Sequence, residues 1–411
     1  MAHILYVSIG AGGHLIPSLA MVRELRTRGE QVTYLAPEMA RPVIEPTGVR
    51  FHPYSSTILA ERPRKLQGFD NPGVPLYVAR EIQAAGDEII DQVGRLRPDL
   101  VVYDGFTFTG YFAARVHGLP SVRVETSHLP IAAYNFYLEA IQGRLKGRLS
   151  SPETLAEFDR LVAPFYQRQR LPCWSFLDLV AHEAERTVVV MPPSLHRGSQ
   201  GIDPRRVAFV GSSIDLATRP WEQVAVTLPP GGDPLVYVAF GSVFHYEPGF
   251  YHLCREALER LPVRGVLSVG DLMAEDIFEE VPPNLLVARR LPQCRLLDHA
   301  SVCISHAGMG STVEALARGV PLILVPQFPE QLATALRVEE LRVGRYLDRE
   351  EVSIASLRRL VREVLEHPVY RDNACRLARE IEQAGGYRRA CDLIQAHLRS
   401  TATPGEEESP S

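Results

Sequence analysis

Two histidines stand at glycine-rich turns, and each is placed where it could do chemistry. His14 ends the stretch Ile9-Gly10-Ala11-Gly12-Gly13-His14, and His306 opens His306-Ala307-Gly308-Met309-Gly310-Ser311-Thr312. Imidazole titrates near neutrality, so it can take a proton from a hydroxyl or donate a hydrogen bond to an anion. A helix that starts at a glycine turn presents unpaired backbone N–H groups and the positive end of its dipole, which suits a phosphate. Ser311 and Thr312 add hydroxyls to the second turn, and Glu314 adds a carboxylate three residues later. Gln293 precedes this turn, while Glu330 and Gln331 follow it. Polar residues recurring at successive strand ends favour a phosphorylated ligand.

The elements that must hold these residues follow from spacing. Ser301 to Ser305 is an apolar run of strand length, and 306–310 is the loop. Ser311 to Arg318 has helical spacing, with Val313, Leu316 and Ala317 on one face; Gly319 and Pro321 stop it, and Pro321 to Pro326 is a second buried strand. The result is a βαβ unit with His306 at the C-terminal edge of its first strand, where open α/β sheets bind ligands. A structural alternative competes locally. Ser311 and Glu314 also fit the S-x-x-E capping box, and Gly308 and Gly310 fit a tight turn.

The N-terminal part repeats the pattern. Ile4 to Ser8 reads as a strand, Gly10 to Gly13 as a loop, Ile16 to Thr27 as an amphipathic helix closed by Gly29, and Gln31 to Leu35 as the next strand. Such alternation implies a parallel, doubly wound sheet. The loop is not a dinucleotide fingerprint, because Leu15 occupies the third glycine position. Leu100 to Tyr103 is a further strand ending in Asp104. Strand ends of one parallel sheet gather on one edge, so Asp104 can meet His14 there. A carboxylate on one imidazole nitrogen fixes the tautomer and leaves the other nitrogen to accept a proton. The competing reading of His14 is an exposed or capping loop residue.

At 411 residues the chain is long enough for two cores. A net charge of −5 gives no support for nucleic-acid or membrane-surface binding, and no apolar run reaches the length of a membrane span. The six cysteines are scattered without a C-x-x-C, which predicts no zinc site or disulfide framework and suits a reducing cytoplasm. Cys294 and Cys303 read as buried thiols. The chain opens directly on a strand, without a cationic leader. Between Thr126 and Glu185 the alternation weakens and aromatics crowd (Tyr134, Phe136, Tyr137, Phe158, Phe165, Tyr166, Trp174 and Phe176). They predict either core packing or a pocket for a bulky apolar acceptor. Pro220, Pro229, Pro230, Gly231 and Gly232 mark a linker. The expected domains are 1–215, a linker at 216–233, 234–385, a helix at 386–400 packing back on the first domain, and an acidic tail at 401–411.

Taken together, Gly13-His14-x-x-Pro17, Asp104 after a strand, and Pro292-Gln293…His306-Ala-Gly-Met-Gly-Ser-Thr-x-Glu314…Pro326-Gln327…Glu330-Gln331 resemble the inverting nucleotide-sugar glycosyltransferases, in particular the bacterial macrolide-type branch of the UDP-glycosyltransferases. The resemblance runs from Ile4 to about Tyr346 and is weakest between Thr126 and Glu185. It implies a GT-B architecture, two Rossmann-like domains facing a central cleft, with an apolar acceptor on the first and a UDP- or dTDP-linked sugar on the second. His14 would be the general base, oriented by Asp104. His306, Ser311, Thr312 and the helix N–H groups beside Gly308 and Gly310 would hold the diphosphate without a metal or other cofactor, and Ser242 would approach it from the opposite side. Glu314 would bind ribose hydroxyls, Gln293 would lie by the base, and Glu330 and Gln331 would read the sugar. The chain has no D-x-D motif of the metal-dependent type. It departs from the family at Arg290, where plant members carry a base-stacking tryptophan, and at Gly310, where many carry asparagine; both leave the base and sugar preference open. A nucleotide-sugar epimerase on the same architecture, or a non-catalytic partner of another transferase, are the competing readings. Acceptor identity and oligomeric state are not readable.

Overall fold

The computed structural model describes residues 1–57, 73–142, 145–146, 150–241, 248–270 and 275–402. Ser242 and residues 403–411 of the acidic tail lie outside the described residues. The first sheet comprises β1 (His3–Val7), β2 (Gln31–Pro37), β3 (Arg50–Tyr54), β4 (Leu100–Asp104), β5 (Ser121–Glu125), β6 (Arg186–Val189) and β7 (Val207–Phe209). All pairings are parallel, in the order β3-β2-β1-β4-β5-β6-β7. The second sheet comprises β8 (Leu235–Ala239), β9 (Arg264–Ser268), β10 (Leu285–Ala288), β11 (Ala300–Ser305), β12 (Leu322–Leu324) and β13 (Gly344–Tyr346), ordered β10-β9-β8-β11-β12-β13 and again parallel.

Alternation along each strand divides the apolar residues between two sheet faces. In β1, Leu5 and Val7 join one core while Ile4 and Tyr6 join another. In β8, Leu235, Tyr237 and Ala239 face one side and Val236 and Val238 the other. The helix Val74–Leu96 covers the first face with Val78, Ile82, Ala85, Ile89 and Val93 at helical spacing.

Three of the elements not anticipated from sequence show why. The edge strand β3 contains Pro53, which an edge tolerates because one side of its ladder is unpaired. β5 is interrupted by Arg123 and Glu125, so its apolar run is too short to register. The helix Pro329–Glu340 opens on polar Glu330 and Gln331, which mask its periodicity.

The halves are joined by more than chain continuity. The helix Gly386–Ala402 lies against the helix Gly12–Thr27 of the first half. Arg28 donates to Asp392 at 2.6 Å, and Cys391 and Ile394 are buried in the first half's core. No helix among the described residues is long and apolar enough to cross a membrane.

Candidate active site

β1 and β4 are neighbours in space but not in sequence, so the chain leaves them toward opposite sides of the sheet. Such a switch point opens a crevice at the C-terminal strand ends. The register pairs Val7 with Tyr103, which brings Asp104 beside the turn leaving β1. That turn is shorter than the spacing suggests. The helix begins at Gly12, not at Ile16, so His14 sits in its first turn rather than in a loop. Glycines at the first two helical positions cost little there, and the N–H groups of His14 and Leu15 close onto Ala11 O at 2.9 and 2.8 Å.

His14 Nδ1 donates to both oxygens of Asp104, at 2.8 and 3.0 Å. Asp104 has no solvent exposure and also accepts the N–H of Phe106 at 3.0 Å. The His14 side chain keeps 27% exposure, and Nε2 is the nitrogen left with a lone pair. Burial by itself would lower the pKa of His14. The Asp104 carboxylate, with Glu125 and Glu330 behind it, outweighs burial and raises it from 6.5 to about 9. In front of this turn a Cβ added at Gly13 would meet nothing within 4 Å, so there is room for a substrate.

Glu330 and several residues not singled out from sequence complete this corner. Thr126 Oγ1 lies 3.2 Å from His14 Nδ1. Glu125, at the end of β5, forms a buried pair with Arg123 at 2.6 Å, and burial pushes its pKa up. Gly105 makes room for it, since a Cβ there would stand 2.3 Å from Glu125 Oε2. Glu330 reaches across from the second half to accept the Ser127 hydroxyl at 2.5 Å, and burial raises its pKa as well. The available signal was a charged pair inside a strand covered on both faces, followed at once by Thr126 and Ser127.

The second half repeats the logic. β8 and β11 form its switch point, with Ala239 in register with Ser305. His306 follows β11 and is buried between two glycines. A Cβ on Gly241 would come within 2.7 Å of its ring, and one on Gly308 within 2.4 Å. Ala307 then takes φ 65°, a left-handed turn into the helix Met309–Leu316, whose N-cap is Gly308 without a side-chain cap. This corrects the capping-box alternative. Ser311 is already the third helical residue, and Glu314, the sixth, finds its partners outside the helix. Its Oε2 accepts Gln293 Nε2 at 2.6 Å and its Oε1 accepts Arg219 at 2.6 Å. Gln293 Nε2 is also 3.2 Å from Ser311 Oγ.

A Cβ at Gly310 would meet open space, so the start of this helix is uncrowded. Thr312 is fully buried, and its hydroxyl has no partner among the described residues. Gln331 is buried with its Oε1 accepting the Gln327 N–H at 2.9 Å, so it braces a loop. The structure thus brings together His14, Asp104 and Glu330 in one corner, and Gln293, Ser311 and Glu314 in another. The helices Gly12–Thr27 and Met309–Leu316, which carry His14 and Ser311, touch each other.

Residues 4–139 match the model of the glycosyltransferase family 28 N-terminal domain, and residues 265–385 match that of the erythromycin biosynthesis protein CIII-like C-terminal domain. The chain is 32% identical over 406 residues to the NDP-glycosyltransferase YjiC of Bacillus licheniformis, covering 96% of this chain and 98% of that one. The chain belongs to the glycosyltransferases. The oleandomycin glycosyltransferase of Streptomyces antibioticus is 30% identical, with 97% of this chain and 91% of that one covered. The crystal structure of the glycosyltransferase of kitacinnamycin superposes with a TM-score of 0.85 at 28% identity, over 97% of this chain and 99% of that one. The two parallel-sheet halves of this glycosyltransferase are accordingly a GT-B architecture.

Within the enzyme, most of the crowded aromatics are core. Phe158, Phe165, Tyr166 and Phe176 are almost wholly buried under the helix Val74–Leu96. Phe106, which is half-buried, has its ring centroid 6.2 Å from that of His14 and stands at the site itself. Cys294 and Cys303 are buried thiols, and burial pushes Cys303 up to about 12.

Proposed function

We propose that this glycosyltransferase inverts the anomeric carbon as it moves a sugar from a UDP- or dTDP-linked donor to a hydroxyl of an apolar, macrolide-like natural product, without a metal ion. The observation that carries this reading is the imidazole of His14, tied through Nδ1 to a fully buried carboxylate and still partly exposed. In the proposed step the acceptor O–H proton passes to His14 Nε2. The acceptor oxygen bonds to the anomeric carbon while the bond from that carbon to the β-phosphate oxygen breaks, and the nucleoside diphosphate leaves with the electron pair. Attack opposite the leaving group inverts the configuration. Asp104 compensates the imidazolium charge that develops. The helix start at Gly308 to Gly310 offers N–H groups and a dipole end to the departing diphosphate, which is the part a metal would otherwise play. Residues 1–215 would carry the acceptor and 234–385 the donor, with 216–233 between them. The names of the relatives support a natural-product acceptor over an epimerase or a non-catalytic partner.

The test is turnover of α-linked UDP-glucose and dTDP-glucose with oleandomycin and a panel of phenolic acceptors, in excess chelator, with the product's anomeric coupling read by NMR. A β-linked product formed in chelator is expected. An α-linked product would overturn inversion, and activity restored only by added magnesium would overturn metal independence.

A further inference from the structure

Glu330 is the carboxylate expected to read the donor sugar, and its two oxygens stand in different surroundings. It is the second residue of the helix Pro329–Glu340 and is half-buried. Oε1 accepts the Ser127 hydroxyl at 2.5 Å, the short distance of a charge-assisted bond. Oε2 has no hydrogen-bond partner among the described residues and keeps contact with solvent. The carboxylate is also close enough to His14 to raise its pKa, so it shares the corner that holds the base.

Ser127 is itself fixed from both sides. Thr126, before it, has Oγ1 3.2 Å from His14 Nδ1, and the Ser127 N–H donates to Glu125 Oε1 at 3.4 Å. His128, after it, has Nε2 3.1 Å from Thr334 Oγ1, and that hydroxyl donates to the backbone carbonyl of Glu330 at 3.2 Å. Thr126, Ser127 and His128 thus run as successive links from the base to the first turn of the helix Pro329–Glu340. His128 clamps the backbone of that turn, and Ser127 aims its carboxylate. A glutamate left unheld samples several rotamers, and a ligand hydroxyl would have to order it on binding. We infer that Ser127 is a positioning residue for the donor sugar: by holding Oε1 it presents Oε2 to a sugar hydroxyl at a fixed place relative to His14. This rests on the donor-site reading above and adds to it a residue of the first half that acts through Glu330.

The test compares UDP, UDP-glucose and the series of its monodeoxy-sugar analogues by calorimetric titration of the full chain. In the wild type, loss of the hydroxyl that Glu330 takes is expected to weaken binding about tenfold or more. Glu330→Ala identifies that hydroxyl as the one whose penalty it abolishes. In Ser127→Ala the same penalty should shrink about threefold or more, because the sugar must now order a free carboxylate, while UDP, which has no sugar, binds as in the wild type. With UDP-glucose and the fastest phenolic acceptor, kcat should fall about tenfold. Ser127→Thr, which keeps the hydroxyl, is expected to restore both. The contact of His128 with Thr334 remains in Ser127→Ala and Ser127→Thr, so a change in sugar discrimination is not a loss of the seam. A Ser127→Ala protein with the wild-type penalty overturns the inference, and so does a penalty that grows, since Ser127 would then compete with the sugar. An equal loss of affinity for every donor and for UDP assigns Ser127 to the seam alone and overturns it too. Failure of both UDP and UDP-glucose to bind the wild type would instead overturn the donor site itself.

Discussion

His14 must be neutral to accept a proton, yet Asp104, Glu125 and Glu330 hold its pKa at about 9. In the free enzyme His14 is therefore mostly protonated at pH 7, and kcat/KM is expected to rise with pH, reach half its plateau near 9 and level off only above that. Asp104→Asn removes the largest of the raising charges. Its acid limb should move to lower pH while the plateau falls about 10²- to 10⁴-fold, because tautomer and charge compensation are lost together. A pH–rate profile of the two proteins checks this, and an unmoved limb would mean that His14 is not the titrating base. Glu330→Gln should lower the limb by less, since Glu330 contributes the least of these charges. His14 and Asp104 were legible from sequence because both stand one or a few residues past an apolar run, and strand ends converge by geometry. Thr126 and Arg219 were not: a threonine in an irregular stretch and an arginine before a linker proline carry no periodicity, and their partners lie 112 and 95 residues away.

At the scale of elements, the proposed donor site of the second half depends on how closely the helix Met309–Leu316 approaches β11. Gly308 has an ordinary φ of −62°, so its need for glycine is purely steric. A methyl there would stand 2.4 Å from His306 Nε2, and the ring has Gly241 on its other side. Gly308→Ala is thus expected to displace His306 or the helix start, weakening UDP and dTDP binding about tenfold or more and costing about 1–3 kcal/mol of stability. Titration of the variant beside urea unfolding checks both. Gly310→Ala is the control, because its Cβ meets open space. The same element shows what sequence spacing can and cannot specify. The βαβ unit was readable, because buried parallel strands are continuous apolar runs. The helix start was misplaced by two residues, because a glycine N-cap leaves no side-chain signal and Ser311 with Glu314 imitates a capping box. Ser353, by contrast, does cap its helix, Ile354–Glu366, in a capping box with Ser356.

At the scale of the molecule, the two halves share apolar cores. Leu332 and Ala333 of the second half pack into the first half's core, and Leu129, Met191 and Leu195 of the first pack into the second's. Ile394 of the last helix is wholly buried against the first sheet, so Ile394→Ala should cost about 2–5 kcal/mol in urea unfolding. The seam between the halves also contains His128, fully buried, with Nε2 3.1 Å from Thr334 Oγ1 of the helix Pro329–Glu340. Burial, with His196, Arg197 and Arg337 adding positive charge nearby, lowers its pKa to about 3. Its sign is opposite to that of His14. A histidine depressed in the folded state adds stability above its unfolded pKa of 6.5 and loses it as pH falls toward 3, because only the unfolded chain binds the proton readily. His14, raised in the folded state, adds its stability below 6.5 and loses it as pH rises through 9. Acid therefore acts at the seam while the His14–Asp104 corner is at its most stable. From pH 8 to pH 5, His128 alone should remove about 2 kcal/mol from the unfolding free energy. In His128→Phe, which keeps an aromatic ring without a titrating group, that part of the acid loss should vanish and the stability–pH curve should flatten by the same amount. Urea midpoints at pH 8, 6.5 and 5 measure it. Parallel curves for the two proteins would show that the seam does not sense acid through His128.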